Sequence, residues 1–557
     1  MKKYFWLKIV ILLFVLGLLI LRGVPYLINL YLNANAEKIV SDMITRTNDF
    51  GGHEVLFGEI IVNYDYRGTF LKLSDVKIQP GSSITGKNQI QFNLTLDEAS
   101  LTGFSWGKFL FENSIHLDSA HLENVNIESI TPPLDSLDIS DNDRAGQEGK
   151  DYDQIAVKRI SFNKVSLQNK DSYSDSTRLS IKDLFVFGDG FSLSKEDLEN
   201  PEAMFRVDNI EGYMDQAAVH TNEFRNALYA KDLSFNTSEE KLNIGQIILD
   251  NKLERYDYIN QFEKETDWIE LEKGSVTLEG MDFQSYFREG ALKVRDLQVS
   301  DLRLVVFRDK RKADNTDARP KMVHSILRDL PIELDIQKVS IKNGYVSYEE
   351  RPENTAPRSG LIYFDNLEAS IAGITNSKEQ LEKSDEMILE AQGRLIGQGM
   401  IHLKVNYFLN DTTGKFNMNG SIGEMDLAGL NDIIEPATKV SLRQGKVNSI
   451  LFNLVANDKE GAGDLIVKYE DLEIEILDKN FGHDQNIFQK IGSFLANKLV
   501  IKSSNPDKKG ELKEADIYYL KTPQNSIFKY WWELVLSGLK STITGDTEQD
   551  LRRKAKN

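Results

Sequence analysis

Two groups of side chains have types and spacing that could do metal chemistry. His116 and His121 lie close together, and Glu123 follows them. Imidazoles and a carboxylate are ordinary ligands for zinc and related ions. On an extended strand, however, positions an odd number apart project from opposite faces, because side chains alternate. The spacing points to two solvated strand histidines rather than a shared ion. Asp464, Glu470, Asp471 and Glu473 form the second group. Their charge suits calcium, but they lack the spaced ligands of an EF-hand loop. They read as the wet face of a strand, so neither a metal nor a cofactor is expected.

Covalent chemistry has as little support. There are 0 cysteines, which removes thiol nucleophiles, thiolate metal sites and disulfides. G-x-S-x-G, H-E-x-x-H, Walker A and G-x-G-x-x-G sequences are absent. Two distant carboxylates converging in a pocket remain a route to hydrolysis. The acidic residues lie mostly between apolar ones, however, as a solvated sheet face requires. The sequence therefore predicts a protein that is not an enzyme.

Charge narrows the partners. The 557 residues carry a formal charge of −19, whereas nucleic-acid binding needs concentrated Lys and Arg. Hydrophobic residues make up 41% and charged residues 27%, the balance of a folded chain.

The N-terminus points to a membrane. Met1-Lys2-Lys3 precedes YFWLKIVILLFVLGLLIL, and Ile9 to Leu21 is unbroken apolar sequence. Ile9, Leu13, Leu16 and Leu19 would sit within the hydrocarbon. Lys8 can reach back to the headgroups, and Tyr4, Trp6 and Tyr26 suit the interfaces. A cleaved signal peptide is the competing reading, but the A-x-A-like Ala34-Asn35-Ala36 lies well beyond Leu21. A retained single-pass anchor over 1–33 is expected, with its Lys-rich end cytoplasmic and the bulk of the chain outside.

The elements that follow are mostly strands of an unusual kind. An octet of form apolar-x-apolar-x-x-apolar-x-apolar recurs as LKLSDVKI (Leu71–Ile78), IAVKRISF (Ile155–Phe162), LYAKDLSF (Leu228–Phe235), LNIGQIIL (Leu242–Leu249), LKVRDLQV (Leu292–Val299) and LDIQKVSI (Leu334–Ile341). Looser copies are LSIKDLFV at Leu179–Val186 and IYFDNLEA at Ile362–Ala369. A one-residue slip flips the apolar set to the other face unless a β-bulge absorbs it. Two very short strands joined by a two-residue turn are the alternative, but such strands are marginal. The bulge predicts a mainly β fold: a long, curled, groove-like antiparallel sheet with one apolar face. Leu71, Leu73, Val76, Ile78, Leu292, Val294, Leu297, Val299, Leu334, Ile336, Val339 and Ile341 would line it.

Helices are few. Ala34–Thr47, Met322–Leu330, Asp484–Val500 and Ser526–Ile543 have helical patterns. The last places Ile527, Trp531, Leu534 and Val535 on one face and reads as a cap on an exposed sheet edge. Residues 131–154 are acidic and read as a flexible excursion, and Arg308–Pro320 and Pro352–Gly360 as shorter loops. The expected organisation is an anchor (1–33), a first groove segment (34–310) and a second β region with terminal helices (311–557).

PIELDIQKVSIKNGYVSYEE (Pro331–Glu350), GLIYFDNLEASIAGITN (Gly360–Asn376), GKVNSILFNLVANDKEGAGDLIVKYEDLEIEILDK (Gly445–Lys479) and the closing SFLANKLVIKSSNP and SIFKYWWELVLSGLKSTI resemble the AsmA-like family of bacterial envelope proteins, in particular its Bacteroidota members. That resemblance implies an inner-membrane anchor, a periplasmic β-groove, phospholipid as the bound partner and a role in outer-membrane lipid homeostasis and assembly. It transfers no catalytic residue. A non-catalytic envelope scaffold with a closed β core, holding a protein partner, is the alternative that the one-sided strands leave open.

Overall fold

The computed structural model describes residues 24–38, 40, 53–65, 68–81, 91–131, 152–174, 176–195, 206–221, 225–353, 356–478, 480–481 and 503–556. The anchor residues Ile9, Leu13, Leu16 and Leu19, most of the excursion 131–154 and the whole expected helix Asp484–Val500 lie outside them. Among the described residues no helix is long and apolar enough to cross a membrane.

The chain is mainly β and divides into two compact units: Met1–Phe224 with Tyr229–Leu242, and Arg225–Leu228 with Asn243–Asn557. In the first, β1 (His53–Leu56) and β2 (Glu59–Asp65) share one side of β3 (Gly68–Pro80). The sheet continues through β4 (Gln91–Thr102), β5 (Ser114–Thr131), β6 (Gln154–Asp171), β7 (Thr177–Ser194) and β8 (Asn209–Thr221). In sequence, β9 (Asn226–Asn236) and β10 (Lys241–Asn251) straddle the division. The second unit continues with β11 (Asp267–Met281), β12 (Leu292–Asp309), β13 (Leu334–Arg351), β14 (Gly360–Thr375), β15 (Glu386–Leu395), β16 (Gly399–Phe408), β17 (Phe416–Ile422), β18 (Met425–Asp426), β19 (Val440–Ala456), β20 (Glu460–Ile476) and β21 (Glu514–Leu520).

The sheet is not wholly antiparallel, as the octets had suggested. β5 and β6 run parallel, and so do β12 and β13. Alternation of apolar residues carries no information on strand direction, and a parallel neighbour needs only a long enough connection.

The two parallel pairs belong to a tandem repeat. LTGFSWGK (Leu101–Lys108) matches LEGMDFQS (Leu278–Ser285). Gly103 and Gly280 are both left-handed, at φ 69° and 66°. Two residues on, Ser105 and Asp282 cap the short helices Trp106–Phe111 and Phe283–Glu289 through their side-chain oxygens. SIHLDSAHLENVNI (Ser114–Ile127) then matches ALKVRDLQVSDLRL (Ala291–Leu304), and IAVKRISFNKVSL (Ile155–Leu167) matches LDIQKVSIKNGYV (Leu334–Val346). Each unit thus contains strand, short helix, parallel pair and antiparallel strand, in that order.

The slip is absorbed by single left-handed residues. Asp75, Asn124, Lys164, Asp183, Asp232, Asp301, Asn343, Asn366 and Asp471 have φ between 48° and 62°. Each follows an apolar residue by two and precedes the next residue of the inward set, as in Leu73-Ser-Asp75-Val76 and Val299-Ser-Asp301-Leu302. The turned corner keeps both apolar neighbours on one face: Leu73 and Val76 are both buried in one cluster. Asp and Asn tolerate this conformation best after glycine.

The corners align across strands. Glu123↔Asn163 and Val125↔Val165 flank Asn124 beside Lys164. Ser300↔Lys342 and Arg303↔Tyr345 flank Asp301 beside Asn343, and the Asn343 amide donates to the Asp301 carboxylate. Asn124 Nδ2 donates to Asp97 Oδ2 at 2.9 Å.

Four octets, those starting at Ile155, Leu242, Leu292 and Leu334, contain no left-handed residue of their own. Arg295 is exposed and Asp296 half-buried, and the two are hydrogen-bonded to each other. The ladder runs through them without a register shift. The left-handed residue there is Gly280 on the neighbouring strand, and Gly373 (φ 74°) plays that part beside the Leu334 octet. A bend needs one strand of a pair to kink, and glycine kinks at least cost.

Candidate functional site

The apolar residues picked out by the octets come together strand by strand. In the second unit, Leu292↔Leu334, Val294↔Ile336, Leu297↔Val339 and Val299↔Ile341 are direct partners across β12 and β13. β11 and β14 extend each pair into a row. Met281, Val294, Ile336 and Ile374 form one row; Leu278, Leu297, Val339 and Ile371 the next; Val276, Val299, Ile341 and Ala369 a third. Val294 is 2% exposed, whereas Leu297, Val299 and Ile341 are half-buried. In the first unit Leu71↔Leu101, Leu73↔Ala99, Val76↔Leu96 and Ile78↔Leu94 make the equivalent pairs. Leu73, Val76, Leu96 and Ala99 are buried there with Val40 and Val125.

The apolar face of β15 to β21 is covered by protein. The helix Ile527–Thr544 starts at the Ser526 cap, close to the expected span. It lies over a face of the sheet and also meets the edge strand β21, where the Ser537 hydroxyl accepts from the Tyr518 N–H at 3.2 Å. Tyr530 and Leu534 are fully buried against a cluster that includes Phe416, Leu454, Leu465 and Ile517 from β17, β19, β20 and β21. The Tyr530 hydroxyl donates to the Asn457 carbonyl at 3.0 Å. Gly538 permits close approach, since a Cβ there would lie 2.8 Å from Ile517 Cγ1. Trp531 and Val535 pack at the margin of this cluster, and Phe528 and Trp532 are exposed.

The opposite face of β13 to β20 is an open trough of about 950 Å³ in which charged side chains stand among apolar ones such as Leu451 and Ile466. Its walls carry Lys338, Lys342, Glu368, His402 and Asp464. Lys404 pairs with Glu390 at 2.7 Å, and Gln392 Nε2 donates to Glu368 at 2.7 Å. These neighbouring charges pair locally, and His402 stands opposite Ser421 across the ladder.

The residues suspected of metal chemistry do not converge. His121 Nδ1 shares a hydrogen bond with Ser161 at 2.7 Å, and Glu123 accepts from Asn163 at 3.4 Å. Glu470, Asp471 and Glu473 are exposed strand residues, and Asp471 is one of the left-handed corners. Among the described residues, the carboxylates close enough to share an ion belong to Glu265, Asp314 and Glu353. Two of these are exposed. Burial raises the pKa of Glu265, opposed by Arg308 and reinforced by its hydrogen bond to Asp314.

Sequence reasoning missed the way the first sheet ends. Residues 24–34 are helical and lie along β2. Asn33 accepts from the Val62 N–H at 2.9 Å and donates to its carbonyl at 2.7 Å. One helical turn earlier, Asn29 accepts from the Tyr64 N–H at 2.5 Å and donates to its carbonyl at 3.1 Å. A helical i,i+4 step rises about 6 Å and a strand i,i+2 step about 6.6 Å, so two carboxamides meet two backbone sites in register. Asn29 and Asn33, spaced by four, were the readable signal. Leu32, Ala36 and Val62 are buried behind them, with Trp106 packed alongside.

No protein-family model matches the chain, and no curated protein matches it.

Proposed function

We propose that this chain is an AsmA-like envelope protein, held in the bacterial inner membrane by its N-terminal apolar run with its bulk in the periplasm. Its creased apolar sheet face binds or conducts phospholipid, in support of outer-membrane lipid homeostasis and assembly. The observation that carries this reading is the set of apolar rows across β11 to β14, kept on one face by left-handed corners, with Leu297, Val299, Ile341 and Ile371 only half-buried. Acyl chains match such a surface in polarity, and burying it is worth roughly 25 cal/mol per Å². Two of the stretches that resemble the family, Pro331–Glu350 and Gly360–Asn376, fall on β13 and β14.

The test is lipid mass spectrometry on residues 24–557 purified without detergent, retaining the helix docked on β2. Co-purified phospholipid near one or more molecules per chain is expected. A photo-crosslinker at Val299 should capture it, and one at Arg295 should not. Lipid-free protein, with no capture at Val299, would overturn the reading.

A second reading is a scaffold with a closed β core. The helix Ile527–Thr544, which packs on the apolar face of β17 and β19 to β21, favours it for that segment. It predicts a defined protein partner recovered by crosslinking in the envelope.

A further inference from the structure

We propose that one end of the first unit is seated in the headgroup layer of a phospholipid bilayer, through the outer face of residues 24–34 and the helix Trp106–Phe111. The inference rests on the anchor reading above and adds a second membrane contact to it.

Asn29 and Asn33 fix the direction of the helix. Its later residue bonds Val62 and its earlier one Tyr64. The helix therefore runs antiparallel to β2, and its first residues point toward the β2–β3 turn. Val24 lies at that end, and the apolar run Ile9–Leu21 precedes it in the sequence. The same end carries the β4–β5 connection: Phe104 N–H donates to the Thr69 carbonyl, and Trp106 Nε1 donates to Thr69 Oγ1 at 2.7 Å.

What faces outward there is apolar. Leu32 and Ala36 are buried on the sheet side, while Tyr26, Leu27, Leu30 and Tyr31 are each more than 60% exposed. On the neighbouring short helix Leu110 is 65% and Phe111 87% exposed. Trp106 at its base packs into the same cluster as Leu32, so the two helices share one support. Monomeric proteins rarely leave such a group of large apolar side chains in water. Tyr, Phe and Leu on short helices beside a spanning segment are the residues of a membrane interface. The occupant argued for is a lipid surface, because the apolar run that would cross it leads directly into the exposed helix.

The absence of cysteine makes the test direct. Full-length Leu30→Cys, Phe111→Cys and Lys182→Cys variants carry an NBD label in phosphatidylethanolamine–phosphatidylglycerol vesicles containing headgroup-level nitroxide lipid. Lys182 is exposed on β7, on the order of 40 Å along that strand from Ser194, which pairs with the start of β6. Quenching at positions 30 and 111 should exceed that at 182 several-fold. Equal quenching at all three, in chains that resist alkaline carbonate washing, overturns this inference and leaves the anchor standing. Chains stripped by the wash overturn the anchor; quenching at 111 before the wash then still supports the seated end, and its absence overturns that too. Burial of the 111 label in a dimer without lipid, seen by light scattering, assigns the patch to a second copy and overturns the proposal. Leu110→Ser with Phe111→Ser should lower quenching at position 30 without changing the circular dichroism.

Discussion

Asn33 satisfies both backbone hydrogen-bonding groups of Val62, standing where a further strand would otherwise pair. An exposed strand edge invites pairing with other chains, and here a helix closes it with side-chain amides. Two partly buried hydrogen bonds at roughly 1 kcal/mol each predict that Asn33→Ala lowers stability by about 1–2 kcal/mol. Asn33→Asp keeps the acceptor and loses the donor, so it should also destabilise. Amide exchange at Val62 and Tyr64 should accelerate in both variants. Unchanged exchange would mean that the helix does not close the edge.

The corner residues predict a specific ranking. At Asp301, with φ 55°, glycine should be close to neutral. Valine should cost about 1–2 kcal/mol, because a β-branched side chain resists the left-handed region. The same order should hold at Asn343, its neighbour across the parallel ladder. Urea denaturation of the four variants measures it. Equal stability of Asp301→Val and Asp301→Gly would show that the corner is not held left-handed in solution.

The cover helix should be sensitive to size in both directions. Leu534 is fully buried, so Leu534→Ala should cost about 2–5 kcal/mol through lost packing and a residual cavity. Gly538→Ala normally favours a helix, but here the new methyl meets Ile517 at 2.8 Å and Leu465 at 3.0 Å. Both variants should lower Tm, and a raised Tm for Gly538→Ala would contradict the close approach.

His324 gives the second unit a pH dependence of known sign. Its ring is buried beside Tyr407 with Nε2 unpaired. Burial lowers its pKa below the ordinary 6.5, opposed by Asp458, Asp411 and hydrogen bonds to the Lys415 and Phe408 backbone. Below about pH 6.5 the unfolded chain takes up this proton more readily than the folded one. Stability from this group is therefore present above pH 6.5 and lost as pH falls. His324→Phe should show a smaller drop in urea midpoint between pH 7.5 and 5.5 than the unsubstituted chain. An equal drop would place the acid sensitivity elsewhere.

The octets announced which apolar residues share a face, because a bulge is the only local device that reconciles Leu73 with Val76 or Val299 with Leu302. They did not announce where each bend sits. At Leu292–Val299 the left-handed residue is Gly280 on the next strand, and a pattern within one strand cannot report a kink in its neighbour. Strand direction was equally hidden, since the pairing of Leu292 with Leu334 depends on a connection and not on either octet. The tandem repeat escaped notice because its copies have connections of different length, which breaks any fixed period. The cover helix was legible from its periodicity and its Ser526 cap. Its placement over a face was not, because that depends on Gly538 meeting Ile517, a contact between distant parts of the chain.

The parallel pairing of β12 and β13 sets a minimum length for what joins them. β12 has 18 residues, at most about 60 Å of extended chain, and Lys310–Glu333 must travel back over that distance. With the helix Val323–Arg328 formed, this connection can reach only about 70 Å. Its slack is held in the turns closed by Lys312 and Ala318, so deleting more residues than those turns contain should be far more damaging than the same deletion in an ordinary surface loop.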